Sequence, residues 1–176
     1  VITGYVDGLR ERGHTVDAYG PEDYLLYDVQ RGRRYVQPLM MAWAGVQKVR
    51  ENDYDLVECW GGMAWILEWL LSKMRPRPFP IVHRFNGIEA QRMNAFKRAE
   101  ESGIVESQKK WYQLDVTPLH EIGYRSADAL IAPSHHNGAF LDEKQYVSPE
   151  RNHVIPDPLP NTFLDRDVSF DRENRI

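Results

Sequence analysis

The chain has 176 residues, a net charge of −4 and a single cysteine, with 42% hydrophobic and 27% charged residues, the composition of an ordinary globular protein. The acidic excess disfavours a general nucleic-acid binder. No apolar stretch approaches the ~20 residues needed to cross a bilayer. Cys59 alone excludes an internal disulfide framework and fits a reducing compartment. The chain opens on Val1-Ile2-Thr3-Gly4, without the basic segment and apolar core of a signal peptide, so a cytoplasmic location is expected.

Ile2, Tyr5, Val6 and Leu9 fall at i, i+3, i+4 and i+7, the spacing of a helix face, and Gly13 supplies the stop. His14 to Tyr19 alternates toward a strand that ends at Gly20-Pro21. Residues 21–36 read as an irregular, basic excursion with Arg31, Arg33 and Arg34. Pro38 suits the first position of a helix whose apolar face is Leu39, Trp43, Val46 and Val49. Asp55 to Trp60 reads as a strand, and after Gly61-Gly62 the run Ala64 to Met74 is a strongly apolar helix. The Trp43, Trp65 and Trp69 side chains are expected in helix-to-sheet packing, and Trp60 is the better platform for a ligand.

Pro76, Pro78 and Pro80 forbid helix continuation before the strand Ile81 to Phe85, which closes at Asn86-Gly87. Residues 89–114 are predicted helical with a break at Ser102-Gly103. Thr117-Pro118 is a helix start, Ala127 to Pro133 a strand, and Ser134 caps a helix to about Gln145. Asn152 to Pro156 is the last strand. Alternation of short apolar strands with helices predicts an α/β fold: a three-layer, Rossmann-like domain with a mostly parallel sheet covered on both faces. In such folds ligands bind beyond the carboxyl ends of the strands.

Four strand ends are therefore the candidates. Gly61-Gly62 either admits a ligand close to backbone N–H groups or makes a tight turn. His83-Arg84-Phe85-Asn86-Gly87-Ile88-Glu89 places an imidazole, a guanidinium, an amide and a carboxylate in seven positions. Alternation sends His83 and Phe85 to one face and Arg84 and Asn86 to the other, and His83 reads more readily as a core histidine than as a catalyst. Ser134 is a helix cap, and His135 beside it faces the same cleft. Adjacent His135 and His136 diverge on a helix, so no metal site is expected. Ile155-Pro156-Asp157-Pro158 is a rigid exit path. No Gly-x-Gly-x-x-Gly, Walker loop or Gly-x-Ser-x-Gly elbow occurs, and no cofactor is expected.

In this order the motifs resemble the N-terminal domain of a family 4 retaining glycosyltransferase of the GT-B fold. Leu9 to Val16 is similar to the family's "RGHEV" segment, Asp55-Leu56-Val57-Glu58 to its "DLV" strand, and Arg84 to Glu89 to "R-x-H-G-x-E". Ala127 to Ser134 matches "AD.VIA.S", and Val154 to Phe163 resembles "VIPNP……F". The resemblance implies a Rossmann-like acceptor-binding domain over residues 1–160. Residues 161–176 would be a polar segment leading to a C-terminal domain that binds a nucleotide-sugar donor.

By that resemblance, the catalytic candidates are His83, Asn86 and Glu89. Acceptor-binding candidates are Trp60, Gly61, Gly62, Arg84, Asn86, Gly87, Ser134 and His135. The acceptor would be a sugar, a lipid or a small molecule. The family often has a histidine where Asn86 stands, so His83 or His135 substitutes, the enzyme works without it, or the alignment is shifted. These residues on their own are expected not to turn over. Arg31, Arg33 and Arg34 could meet an anionic acceptor or membrane headgroups, giving a peripheral contact at the inner membrane surface. The competing reading from another class is a non-catalytic Rossmann-like binding module.

Overall fold

A computed structural model describes residues 2–24, 33–104 and 116–157. The chain divides into two compact units, Tyr19–Ile155 and a smaller one comprising Val1–Ala18 with Pro156–Ile176.

In the smaller unit, α1 spans Ile2–Glu11 and buries Val6. Gly13 ends it at φ 88°, with its N–H bonded to Arg10 O at 2.9 Å and the His14 N–H to Leu9 O at 3.2 Å. This paired closure is the Schellman arrangement, which needs a left-handed residue that glycine adopts without strain. The alternation at residues 14–19 is not realised as a strand among the described residues. Alternation sets which side chains share a face, but a ladder also needs a partner backbone, which periodicity does not supply.

In the larger unit the elements are α2 (Pro21–Tyr24), α3 (Arg33–Glu51), β1 (Val57–Trp60), a 3-10 turn (Gly62–Ala64), α4 (Trp65–Lys73), β2 (Ile81–Arg84), α5 (Glu89–Glu101), α6 (Thr117–Ser126), β3 (Ala129–Ala132), α7 (His135–Lys144) and β4 (Asn152–Val154). The four strands are parallel in the order β1-β2-β3-β4. Register pairs Cys59 with His83 and His83 with Leu130, so these side chains share a face. Glu68 of α4, Tyr124 of α6 and Gly138 of α7 all lie against that face. A monotonic parallel order with right-handed crossovers demands this. The opposite face is covered too: Val82, Arg84 and Ile131 are 9% exposed or less. The α/β, Rossmann-like expectation is thus met.

The segment expected to be irregular is partly helical. α2 occupies residues 21–24, and α3 begins at Arg33, five residues before Pro38. Pro38 therefore sits inside the helix, where its ring removes one backbone hydrogen bond without ending it. Arg31 lies outside the described residues.

The packing face of α3 is also rotated from the expected one. Leu39 and Trp43 are each 59% exposed, whereas Ala42 is buried and Met41, Val46 and Val49 pack on the core. Small residues decide the phase: a Cβ on Gly45 would lie 2.7 Å from Leu67 of α4, so the two helices meet where an indole has no room. Trp69 of α4, 43% exposed, likewise stays out of the core, overturning its expected place in helix-to-sheet packing. Leu67, Glu68 and Leu71 turn inward instead.

α5 ends as predicted at Ser102-Gly103, with Gly103 at φ 69°. The remainder of the predicted helix to residue 114 falls mostly outside the described residues. The cap of α6 is Val116 rather than Thr117, with Pro118 in the first turn. At the amino edge of the sheet, Asp128 fastens the strand starts together. Its carboxylate accepts from Ile81 N–H at 2.7 Å and Arg77 Nη2 at 2.8 Å, and Arg151 Nε donates to its backbone carbonyl.

Candidate functional site

The carboxyl ends of β1 and β2 lie side by side, joined beyond the last register pair by Gly61 N–H to Arg84 O at 3.0 Å. Gly61 has φ 73° and ψ 163°, a conformation that excludes most side chains. A Cβ there would come within 3.3 Å of Asn86 Oδ1. At Gly62 a Cβ would sit 2.3 Å from His120 Nδ1. The buried Gly61 and half-buried Gly62 are therefore closely covered by an amide and an imidazole. Asn86 is exposed, and His120, from the first turn of α6, is 7% exposed.

Sequence reasoning named Gly61, Gly62 and Asn86 but not His120. A histidine in a helix carries no mark that it folds back over a glycine turn some sixty residues earlier. Gly87, after Asn86, lies in the same turn with φ 157°.

His83 and Arg84 take the opposite faces that alternation assigned them. His83 is fully buried: its Nδ1 lies 2.5 Å from Glu68 Oε1, and its ring packs on Phe85 and Tyr124 at 4.4 and 4.7 Å. A side chain with no exposed surface has no route to a substrate, so His83 acts as a core group in this structure. Glu68 Oε2 and His83 Nε2 have no hydrogen-bond partner among the described residues. Gly123 lets α6 approach closely, since a Cβ there would lie 2.2 Å from Glu68 Oε2 and 2.8 Å from Trp65 Cα. Burial, reinforced by Glu68, pushes the Tyr124 hydroxyl far above the ordinary phenol range.

Arg84, 2% exposed, donates from Nε to Glu58 Oε1 at 2.6 Å and lies 5.2 Å from the Trp60 ring centroid. The Trp60 platform thus carries a guanidinium over its ring.

A second group gathers at the β2 and β3 ends. Ser134 Oγ accepts from Asn137 N–H at 3.2 Å, capping α7, and donates to Asn137 Oδ1 at 2.6 Å. Asn137 Nδ2 in turn donates to Gln91 Oε1 of α5 at 2.6 Å. Ser134 is committed to holding α7 against α5, and His135 is exposed beside it. Glu89 accepts from Arg92 Nη2 at 2.6 Å. The described contacts do not bring Glu89, Ser134 or His135 to the glycine pair.

Among the described residues no group of three His, Cys, Asp or Glu side chains is placed to hold a metal ion. No helix of the described residues is long and apolar enough to cross a membrane.

A four-stranded parallel sheet with helices connecting its strands defines a Rossmann-like α/β domain. The family model for glycosyltransferase family 4 matches residues 1–160, and the chain belongs to that family. No curated protein matches the chain.

Proposed function

We propose that the chain is the acceptor-binding half of a retaining glycosyltransferase that moves a sugar from a nucleotide-sugar donor to a hydroxyl-bearing acceptor. The observation that supports this best is the exposed Asn86 amide at the carboxyl end of the sheet, so close over Gly61 that a Cβ there would lie 3.3 Å from its Oδ1. An amide both donates and accepts, as a hydroxyl requires, but cannot serve as a base. His120 at Gly62 adds an imidazole, the side chain best suited to proton exchange near neutral pH.

Glycosyl transfer builds positive charge on the sugar and negative charge on the departing diphosphate. The cation at this strand end, Arg84, is already engaged with Glu58 at 2.6 Å. Preorganised donors for the diphosphate would come from the family's second domain, so residues 1–176 bind acceptor without turning over by themselves.

The test is nucleoside-diphosphate release by the enzyme containing this domain, over a panel of nucleotide sugars and of sugar, lipid and small-molecule acceptors. Asn86→Ala should raise the acceptor KM up to about tenfold, the worth of one neutral hydrogen bond, and leave the donor KM unchanged. A change confined to the donor KM overturns the acceptor assignment.

A further inference from the structure

His120 reaches the strand ends from α6, and packing on two sides sets its place there. A Cβ on Gly62 would overlap three atoms of its ring, Nδ1, Cε1 and Cγ, none of them more than 2.7 Å away. The imidazole thus occupies the space where any other residue at position 62 would put its side chain. One turn on, at i+3, Gly123 lies on the same side of α6. A Cβ there would overlap Glu68 Oε2 and lie 2.8 Å from Trp65 Cα, so α6 rests on both the side chains and the backbone of α4. Glu68 is itself held to β2 through His83 Nδ1. Such a seat resists displacement, because a main-chain contact has no rotamer to retreat into. His120 is buried, whereas Asn86, over the neighbouring Gly61, is exposed. A ligand that meets Asn86 therefore finds the adjoining space over Gly62 already filled.

We propose that His120 is a specificity-determining residue of this site, a fixed wall over Gly62 that limits the size of the acceptor group received at Asn86. The inference rests on the acceptor-binding reading above and adds which acceptors the site turns away. Space the size of one methylene group changes kcat/KM about 10–200-fold, and an imidazole fills more than that. His120→Ala opens the space, and an alanine at position 62 refills part of it. Gly62 carries no positive φ, so its backbone accepts a Cβ once the ring is gone.

The experiment is nucleoside-diphosphate release by the enzyme containing this domain, with acceptors paired by bulk: methyl and phenyl glycosides, ethanol and benzyl alcohol, dodecanol and farnesol. His120→Ala should raise the bulky-to-small ratio of kcat/KM at least about tenfold. Adding Gly62→Ala to the same chain should bring the ratio back toward the native one. An unchanged ratio with release retained overturns the inference alone. So does loss of release with every acceptor in His120→Ala, because the imidazole then acts in the chemistry rather than as a wall. No release by the native enzyme from any pair overturns the acceptor reading, and this inference with it. Thermal melts test the contact independently. Gly62→Ala alone should lower Tm by at least about 2 °C through overpacking, and His120→Ala added to it should raise Tm again. Losses that simply add would mean that the two residues do not touch, which also overturns the proposal.

Discussion

Replacing one member of the Glu68–His83 pair should be more damaging than replacing both. Each side chain is 0% exposed and they meet at 2.5 Å. Glu68→Met or His83→Leu leaves the remaining polar group buried among Cys59, Phe85 and Tyr124 without its partner. Breaking a buried pair in this way costs about 3–5 kcal/mol. At roughly 2–4 °C per kcal/mol for a domain of this size, each single variant should lose at least about 6–12 °C in Tm. The double variant behaves differently because the pair is already under-satisfied: Glu68 Oε2 and His83 Nε2 make no hydrogen bond among the described residues. Apolar replacement of a whole buried pair is often neutral or stabilising, so the double variant should lie within about 1–2 kcal/mol of the native chain. Urea unfolding followed by circular dichroism gives the four stabilities of the cycle. Single losses that add to within about 0.5 kcal/mol in the double variant would refute the reasoning.

Three other outcomes can be measured on the same protein. Partial burial pushes the Asp128 carboxyl up, but hydrogen bonds from Arg77 and Ile81 and the charges of Arg77 and Arg151 together bring it below the usual range. Its stabilisation is present above about pH 4, the unfolded value, and disappears as pH falls through the lower folded value. Asp128→Ala should therefore cost about 1–2 kcal/mol at pH 7, discounted for the carboxylate's partial exposure, and progressively less below pH 4 in urea titrations. Burial, reinforced by Glu68 and Glu58, pushes the Cys59 thiol well up, so a thiol reagent should label it only as the chain unfolds. Ser134→Ala removes the α7 cap and should lower stability by about 1 kcal/mol in urea melts.

The sequence was most legible where local chemistry punctuates it. β2 lies between Pro80 and Asn86-Gly87, β3 ends at Pro133 and the Ser134 cap, and α1 stops at Gly13, so these boundaries and the parallel α/β class followed. The phase of α3 did not. Of the predicted face, Val46 and Val49 pack on the core but Leu39 and Trp43 turn outward, a choice settled by Leu67 filling the space over Gly45. Glu68 was illegible because one carboxylate in an apolar helix reads as its wet side. The strand-end rule located Gly61, Gly62 and Asn86. His120 joins them only through the packing of α6, which no spacing in the sequence encodes.

The Asp128 clamp makes the two edges of the sheet mechanically unlike. At one edge a single carboxylate ties the start of β2 to Arg77, and the same residue's carbonyl takes Arg151 just before β4. At the other edge the turns rest on glycine backbone and individual side chains. Strand register is therefore anchored from behind, while of the two turns the one after β2 is the open one, with Asn86 and Gly87 exposed. Length and composition can change in that Asn86-Gly87 turn at the least cost to the sheet.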